Sequence, residues 1–341
     1  MNVLLLVTDT NNGVFLNRII NPFRYIDNQD INYKFTNDVY EDELEWADCL
    51  ILASIIYKPR VEVMKSLLVK YNVKLIVDVD DYAGLHKRHV DYDKQKLNNI
   101  HEYYIEYIEA ADQVWVTNEV LCNYAKKYND NVVVIPNAIP FGEGNYTDKK
   151  YLRNQRKTFI YSCNVRHKDD VIILQKPIKE INKQPLFKQS ATMCMYGYLN
   201  GYYQNTWKVI ENVFSAGKLE EKTYMRMPYA TIDKYMDNLS IGDVGLVPLE
   251  NNYFNQCKSN LKVLEYATKK IPAIISNVSS LTVNNPPCII AKNDKDWVEA
   301  FMLYLKDENK RKEDGQKLHD WAVSNYSLKV INEIRVKQLT G

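Results

Sequence analysis

Short apolar runs alternate along this chain with longer segments in which apolar residues recur every three or four positions. The run from Asn2 to Thr8 is apolar throughout its middle and gives way to polar residues from Asp9 to Gly13, the pattern of a strand buried on both faces followed by its exit loop. Helical spacing follows from Val14 to Tyr25, with Pro22 placed to end or kink the helix. Strands are then expected at Cys49 to Ala53, Lys74 to Asp78, Gln113 to Thr117 and Asn131 to Ile135, separated by helices at Val61 to Tyr71, Ile100 to Ala111 and Glu119 to Tyr128. Strands alternating with helices of about ten residues imply a parallel sheet covered on both faces.

Around residues 140–157 the periodicity lapses into Gly, Asn, Tyr and basic residues. A second alternation then places strands at Thr158 to Ser162, Thr192 to Tyr196, Ile241 to Val247, Ala273 to Ser276 and Cys288 to Ile290. Helices are expected at Asp170 to Asn182, Gln204 to Phe214, Thr231 to Leu239, Ser259 to Lys269 and Asp294 to Asp307, and from Glu308 onward, including Ser327 to Leu339. The expected class is α/β, with two Rossmann-like, doubly wound parallel-sheet domains facing a cleft. The divisions are an N-terminal domain at 1–143, a linker at 144–157, a C-terminal domain at 158–325 and a final helix at 326–341.

Composition changes this picture little. A chain of 341 residues, 46% hydrophobic and 26% charged, suits two globular cores. A net charge of +1 gives no whole-protein argument for nucleic acid or membrane. The six scattered cysteines lack metal or redox spacing, no apolar run is long enough to span a bilayer, and the N-terminus enters a strand at once; a cytoplasmic protein is expected. The loop after the first strand lacks G-x-G-x-x-G, so a dinucleotide fingerprint is not supported.

The chemistry concentrates in Asn255 to Glu265. Read as one helix, this stretch puts Lys258, Lys262 and Glu265 at i, i+4 and i+7 on a shared face. A helix N-terminus with two ammonium groups suits a diphosphate, and a carboxylate one turn deeper suits ribose hydroxyls. The bland alternative is an exposed face with a Lys262–Glu265 ion pair. Asp78, Asp80 and Asp81 cluster where open α/β sheets bind ligands, and crowding there can raise one pKa and supply a base, though capping explains them equally well. His86 and His89 follow beside Lys87 and Arg88, at the expected cleft edge. The aromatic cluster Tyr196, Tyr198, Tyr202, Tyr203 and Trp207 suits either stacking or ordinary packing. The basic run from Lys149 to Lys157 reads as a solvated surface.

Several motifs occur in an order that resembles the GT-B glycosyltransferases, in particular the retaining group that includes family 4, the glycosyl transferases group 1 type. They are Asp243 to Leu249, Phe254-Asn255, Lys258-Ser259, Leu261-Lys262, Leu264 to Ala267 and Ile271-Pro272, preceded by Ala111 to Asn118, Val134 to Ile139, and Tyr161 to Asp170 with His167 and Asp170 in H-x-x-D spacing. The acidic strand end Val77 to Asp81 resembles one common in bacterial and viral members. The resemblance implies an acceptor-binding N-terminal domain, a C-terminal domain that binds a nucleotide-sugar donor, a last helix crossing back to the first domain, and no essential metal or other cofactor. Donor contacts are then expected from Gly13, Arg166, His167, Lys168, Lys258, Ser259, Leu261, Lys262 and Glu265, and catalytic roles from Asp81 and His86. The sequence departs from the pattern at Cys257, where retaining members often carry a glutamate eight positions before the second, and in lacking glycines from Ser162 to Arg166.

The implied activity is sugar transfer from a nucleotide-diphosphate donor to an acceptor hydroxyl, with retention, the acceptor being a surface glycan or glycolipid precursor. A hydroxymethylated DNA base as acceptor, a nucleotide-sugar epimerase and a noncatalytic nucleotide-sugar-binding protein stay open as alternatives.

Overall fold

Twelve strands form among the residues described by the computed structural model, 1–53, 61–148, 156–219 and 222–341. The first six are β1 (Asn2–Leu6), β2 (Asn32–Thr36), β3 (Cys49–Ala53), β4 (Lys74–Val79), β5 (Gln113–Val116) and β6 (Val132–Val134), in the sheet order β2-β1-β3-β4-β5-β6. The others are β7 (Lys157–Ser162), β8 (Ala191–Tyr198), β9 (Tyr224–Pro228), β10 (Val244–Val247), β11 (Ala273–Ser276) and β12 (Ile289–Ala291), ordered β12-β11-β10-β7-β8-β9. Every pairing is parallel. The α/β class and the pair of parallel sheets expected from the alternation are therefore what the chain forms.

Alternate residues of each strand enter different cores, as the two-residue period of a strand requires. Leu4, Leu6, Leu50, Leu52, Leu75 and Val77 pack on one face of the first sheet beneath helices Val61–Tyr71 and Ile100–Ala110. Val3, Leu5, Cys49, Ile51, Ile76 and Trp115 pack on the other. The second sheet divides likewise, with Phe159, Met193, Met195 and Leu246 on one side and Ile160, Cys194, Ala273 and Ile275 on the other. In each sheet the order reverses beside the first strand, between β1 and β3 and between β7 and β10. Crossovers leave such a point on opposite faces and open a crevice at the carboxyl ends of the strands.

The first helical segment runs through Gly13–Phe15, Leu16–Ile20 and Asn21–Arg24, with a wide π-type turn in the middle. Pro22 lacks the N–H that would bond one turn back, so the turn before it opens instead of the helix ending. Two edge strands, β2 and β9, fall outside the sequence expectations because their residues are mostly exposed or only half-buried and form no apolar run. The expected helix from Asp170 to Asn182 is two helices, Lys168–Ile172 and Gln175–Ile181, and Pro177 sits in the first turn of the second.

The chain passes between the two halves at two adjacent places. Ile139 pairs with Ser327 in a parallel bridge, its N–H donating to the Tyr326 carbonyl at 3.0 Å while its own carbonyl accepts from Leu328 at 3.0 Å. Helix Glu308–Tyr326 packs on the second sheet through Leu318, Ala322 and Tyr326, whereas helix Leu328–Thr340 buries Leu328, Ile331 and Leu339 in the core of the first. Asn332 ties that last helix down by donating to the Pro22 and Tyr25 carbonyls at 2.9 and 3.1 Å.

Candidate active site

The stretch from Asn255 to Glu265 is not one helix. It comprises a short helix, Tyr253–Gln256, and a second, Leu261–Thr268, with Cys257 to Asn260 between them. Asn118, at the carboxyl end of β5, donates its side-chain amide to the carbonyls of Gln256 at 3.2 Å and Lys258 at 2.6 Å. Those carbonyls would serve the backbone of a continuous helix, so a side chain from the other half of the molecule holds the break open. The shared face expected for Lys258, Lys262 and Glu265 is thereby corrected to a pair plus an outlier.

Lys262 and Glu265 form the pair, with Nζ 3.1 Å from Oε2. Tyr235, from helix Ile232–Leu239, stands between them: its hydroxyl donates to Glu265 Oε2 at 2.7 Å and accepts from Lys262 Nζ at 2.7 Å. Ser162, the last residue of β7, adds its hydroxyl at 2.9 Å from that of Tyr235. This group lies at the β7/β10 reversal, where the crevice opens. The outlier, Lys258, points toward the first sheet, with Nζ 3.5 Å from Asp81 Oδ2 and 4.5 Å from the centre of the Phe254 ring.

The neighbouring residues of the linker between the two helices are also spoken for. Cys257 is fully buried in the core of the first half, and burial pushes its thiol up to about 11. The position where the resemblance calls for a glutamate therefore offers no acidic contact to a sugar. Ser259 Oγ accepts from Asn137 at 2.8 Å, and Asn137 in turn accepts from Arg18 at 3.0 Å. Leu261 begins the second helix, partly buried against the core beneath the second sheet.

His167 and Asp170 meet, Nδ1 to Oδ2, at 2.9 Å. Asp170 also accepts from the Glu250 N–H at 2.9 Å and from the Asn255 amide at 2.6 Å, so the H-x-x-D pair orders the loop before the short helix. Burial outweighs that carboxylate and lowers the His167 pKa. Arg166 is held by Asp91, Nε to Oδ2 at 2.5 Å, and Lys168 lies 3.5 Å from Asp169. Gly197, at φ +113, lies where an added Cβ would strike the Cys163 carbonyl, so a close backbone contact inside the protein requires glycine there.

In the first half, the three carboxylates separate in role. Asp78 is sealed in the core and receives Arg18 at 2.7 and 2.9 Å. Asp81 faces Lys258. Asp80 has no ion-pair partner among the described residues, and burial together with Asp81 and Asp78 pushes its pKa up to about 7. Gly13 opens the first helix, and an added Cβ there would meet nothing within 4 Å, so the protein itself imposes no need for glycine.

The segment from His86 to Asp91 crosses the cleft. Arg88 makes two contacts with the Glu250 carboxylate at 2.8 and 2.9 Å, Asp91 bonds Arg166 and, at 3.1 Å, Tyr203, and His86 Nε2 lies 4.0 Å from Asp169. His86 Nδ1 is buried without a hydrogen-bond partner among the described residues. Local sequence reasoning missed Asp91, Arg18 and Tyr235 as members of these networks, because each acts on residues far away in the chain. Of the aromatic cluster, Tyr196 and Trp207 are core residues, while Tyr202 is exposed. The basic run Lys149 to Lys157 lies outside the described residues except for Arg156 and Lys157. Among the described residues no group of three or more His, Cys, Asp or Glu is placed to hold a metal ion, and no helix is long and apolar enough to cross a membrane.

No family model matches the chain, and no curated protein matches it. Solved structures do. Sucrose-phosphate synthase from Thermosynechococcus elongatus aligns at a TM-score of 0.65 with 12% identity, over 99% of this chain and 87% of its own. An α,α-trehalose-phosphate synthase (UDP-forming) from Burkholderia vietnamiensis aligns at 0.64 with 10% identity, over 88% and 76%. A mutant of S. aureus TarM, in complex with fondaparinux, α-GlcNAc-glycerol and UDP, aligns at 0.59 with 13% identity, over 88% and 59%. At these identities the likeness is one of fold, and the fold of this chain is the GT-B arrangement of two Rossmann-like sheets.

Proposed function

We propose that this protein is a glycosyltransferase that takes a sugar from a nucleoside-diphosphate donor and passes it to an acceptor hydroxyl. The observation that carries the reading is the Ser162, Tyr235, Lys262 and Glu265 constellation at the β7/β10 reversal of a GT-B fold. A carboxylate beside an ammonium group, at the carboxyl ends of parallel strands, matches a ribose followed by a diphosphate. The solved structures of like fold support the same class, since their names include UDP-forming and sugar-phosphate synthases.

In this mechanism the donor lies along helix Leu261–Thr268, with Lys262 offsetting charge that builds on the leaving diphosphate. Lys258 and Arg166 join it once their carboxylate partners, Asp81 and Asp91, give way to phosphate oxygens. Because these cations belong to the protein, the proposal includes no essential metal. The acceptor, a surface glycan or glycolipid precursor, enters from the first half, where Asp80 and Asp81 stand at the carboxyl end of β4. DNA is the second acceptor reading, with the basic stretch at His86 to His89, where Arg88 pairs with Glu250, as its phosphate contact. A cytoplasmic setting completes the proposal and suits six unpaired cysteines.

Transfer with retention is the first reading of stereochemistry. Inversion is the second, favoured by Asp80, whose pKa of about 7 suits a base for the acceptor hydroxyl. Incubation with a panel of nucleotide sugars and glycan acceptors, followed by mass spectrometry, is expected to yield a glycosylated acceptor and free nucleoside diphosphate. An epimerised donor with no acceptor product would replace the proposal by epimerase activity, and binding without turnover would replace it by a noncatalytic role. The anomeric proton of the product, read by NMR, separates retention from inversion.

A further inference from the structure

Tyr235 belongs to none of the sequence motifs that point to the donor site, yet its hydroxyl meets Ser162, Lys262 and Glu265 at once. Its hydroxyl lies 2.7 Å from Glu265 Oε2, 2.7 Å from Lys262 Nζ and 2.9 Å from Ser162 Oγ. Its ring is clamped from behind by the buried Tyr196, stacked at 5.5 Å and 14°, whose own hydroxyl donates to the Tyr235 carbonyl at 3.3 Å. The Lys262 ammonium sits 5.0 Å from the centre of the same ring.

The consequence falls on Glu265. Two donors, Tyr235 Oη and Lys262 Nζ, converge on Oε2, while Oε1 accepts no hydrogen bond from the described residues. A carboxylate fastened through one oxygen cannot turn freely, so the direction of the other is fixed in advance. Burial and the Glu265 charge keep the Tyr235 phenol protonated, hence a donor, across ordinary pH.

We propose that Tyr235 is a positioning residue that locks the Glu265 carboxylate so that Oε1 receives one ribose hydroxyl of the donor nucleotide, making the site selective for ribonucleotides over their deoxy forms. This rests on the donor-site reading above. A positioned hydrogen bond to a charged group corresponds to a preference of about 10- to 100-fold.

The test is calorimetric titration of wild type and Tyr235→Phe with UDP, GDP, ADP and CDP, then with the 2′-deoxy and 3′-deoxy forms of whichever binds. Tyr235→Phe keeps the ring and its stacking, so a change confined to selectivity reads the hydroxyl alone. Wild type is expected to favour the ribonucleotide by at least about tenfold over one of the two deoxy forms. In Tyr235→Phe that gap is expected to shrink to about threefold or less, with the deoxy form bound nearly as in wild type. An undiminished gap in the variant, or equal loss of ribo and deoxy binding, overturns the positioning role and leaves the donor site standing. No gap in wild type overturns it too. If wild type binds none of the four diphosphates, the donor-site reading fails and takes this inference with it. Should Tyr235→Phe fail to fold, Ser162→Ala, which removes the hydroxyl bonded to Tyr235 Oη, is expected to narrow the gap in the same direction, and an undiminished gap there counts against the proposal.

Discussion

Asp78, Asp80 and Asp81 are three carboxylates within four positions, and they differ in their partners: Arg18 for Asp78, Lys258 for Asp81 and no cation for Asp80 among the described residues. That they would gather at a strand end was legible in the sequence. Which of them would be paired was not, because the answer lies with Arg18 on a preceding helix and Lys258 in the other half of the chain. Both cations leave Asp80 without an ion pair among the described residues, and burial with the neighbouring Asp81 and Asp78 raises its pKa from 3.8 to about 7. Between those values the folded protein keeps a proton that the unfolded chain has released. Stability therefore falls as pH rises through that window, and the loss is complete above 7. Asp80→Asn removes the titration and is expected to be more stable than wild type by about 1 to 3 kcal/mol at pH 8, with the difference vanishing near pH 4. Urea unfolding at the two pH values measures this; a pH-independent difference would assign Asp80 no raised pKa.

The strands that formed nearly continuous apolar runs, such as Cys49–Ala53 and Ala273–Ser276, were legible to the residue because burial on both faces leaves no exposed position. β2 and β9 were not, since an edge strand with exposed side chains carries a weaker pattern. The break at Cys257 to Asn260 was hidden for another reason: its cause is Asn118, whose amide takes carbonyls from the opposite half. The same holds for the His86 to Asp91 segment, whose partners Glu250, Arg166 and Tyr203 all lie across the cleft. Burial lowers the pKa of His89 in this segment from 6.5 to about 4, while its Nδ1 accepts from the Asp91 N–H at 3.1 Å. The packed form thus refuses a proton that the released form accepts below pH 6.5. Its stability contribution is present above that value and is lost as pH falls toward 4. Lowering the pH from 7 to 5 is expected to raise hydrogen exchange in the segment, corrected for the intrinsic rate, by about tenfold, and His89→Asn is expected to abolish that increase. The same increase in the variant would show that another group controls release.

At the scale of the molecule, the two sheets share one logic with two different strand orders, and each reverses once beside its first strand. The alternation of short apolar runs and helical segments foretold both sheets, whereas the interlocking of the halves depended on contacts distant in sequence. Arg18 bonds Asn137, Asn137 bonds Ser259, and Asn118 holds the backbone at Lys258, so the first half shapes the loop that leads into helix Leu261–Thr268. The final helix closes the assembly by burying Ile331 and Leu339 beneath β1 and β3. The Lys262 and Glu265 pair stands beside Ser162 at the end of β7, and the central claim is that a nucleoside diphosphate binds there. The direct measurement is calorimetric titration of wild type and Lys262→Ala with the best-binding nucleoside diphosphate, with Lys70→Ala, an exposed ion-pair residue of the first half, as control. Removing the ammonium is expected to weaken binding by about 10- to 100-fold, while the control matches wild type. Equal affinity in Lys262→Ala and wild type would contradict the account.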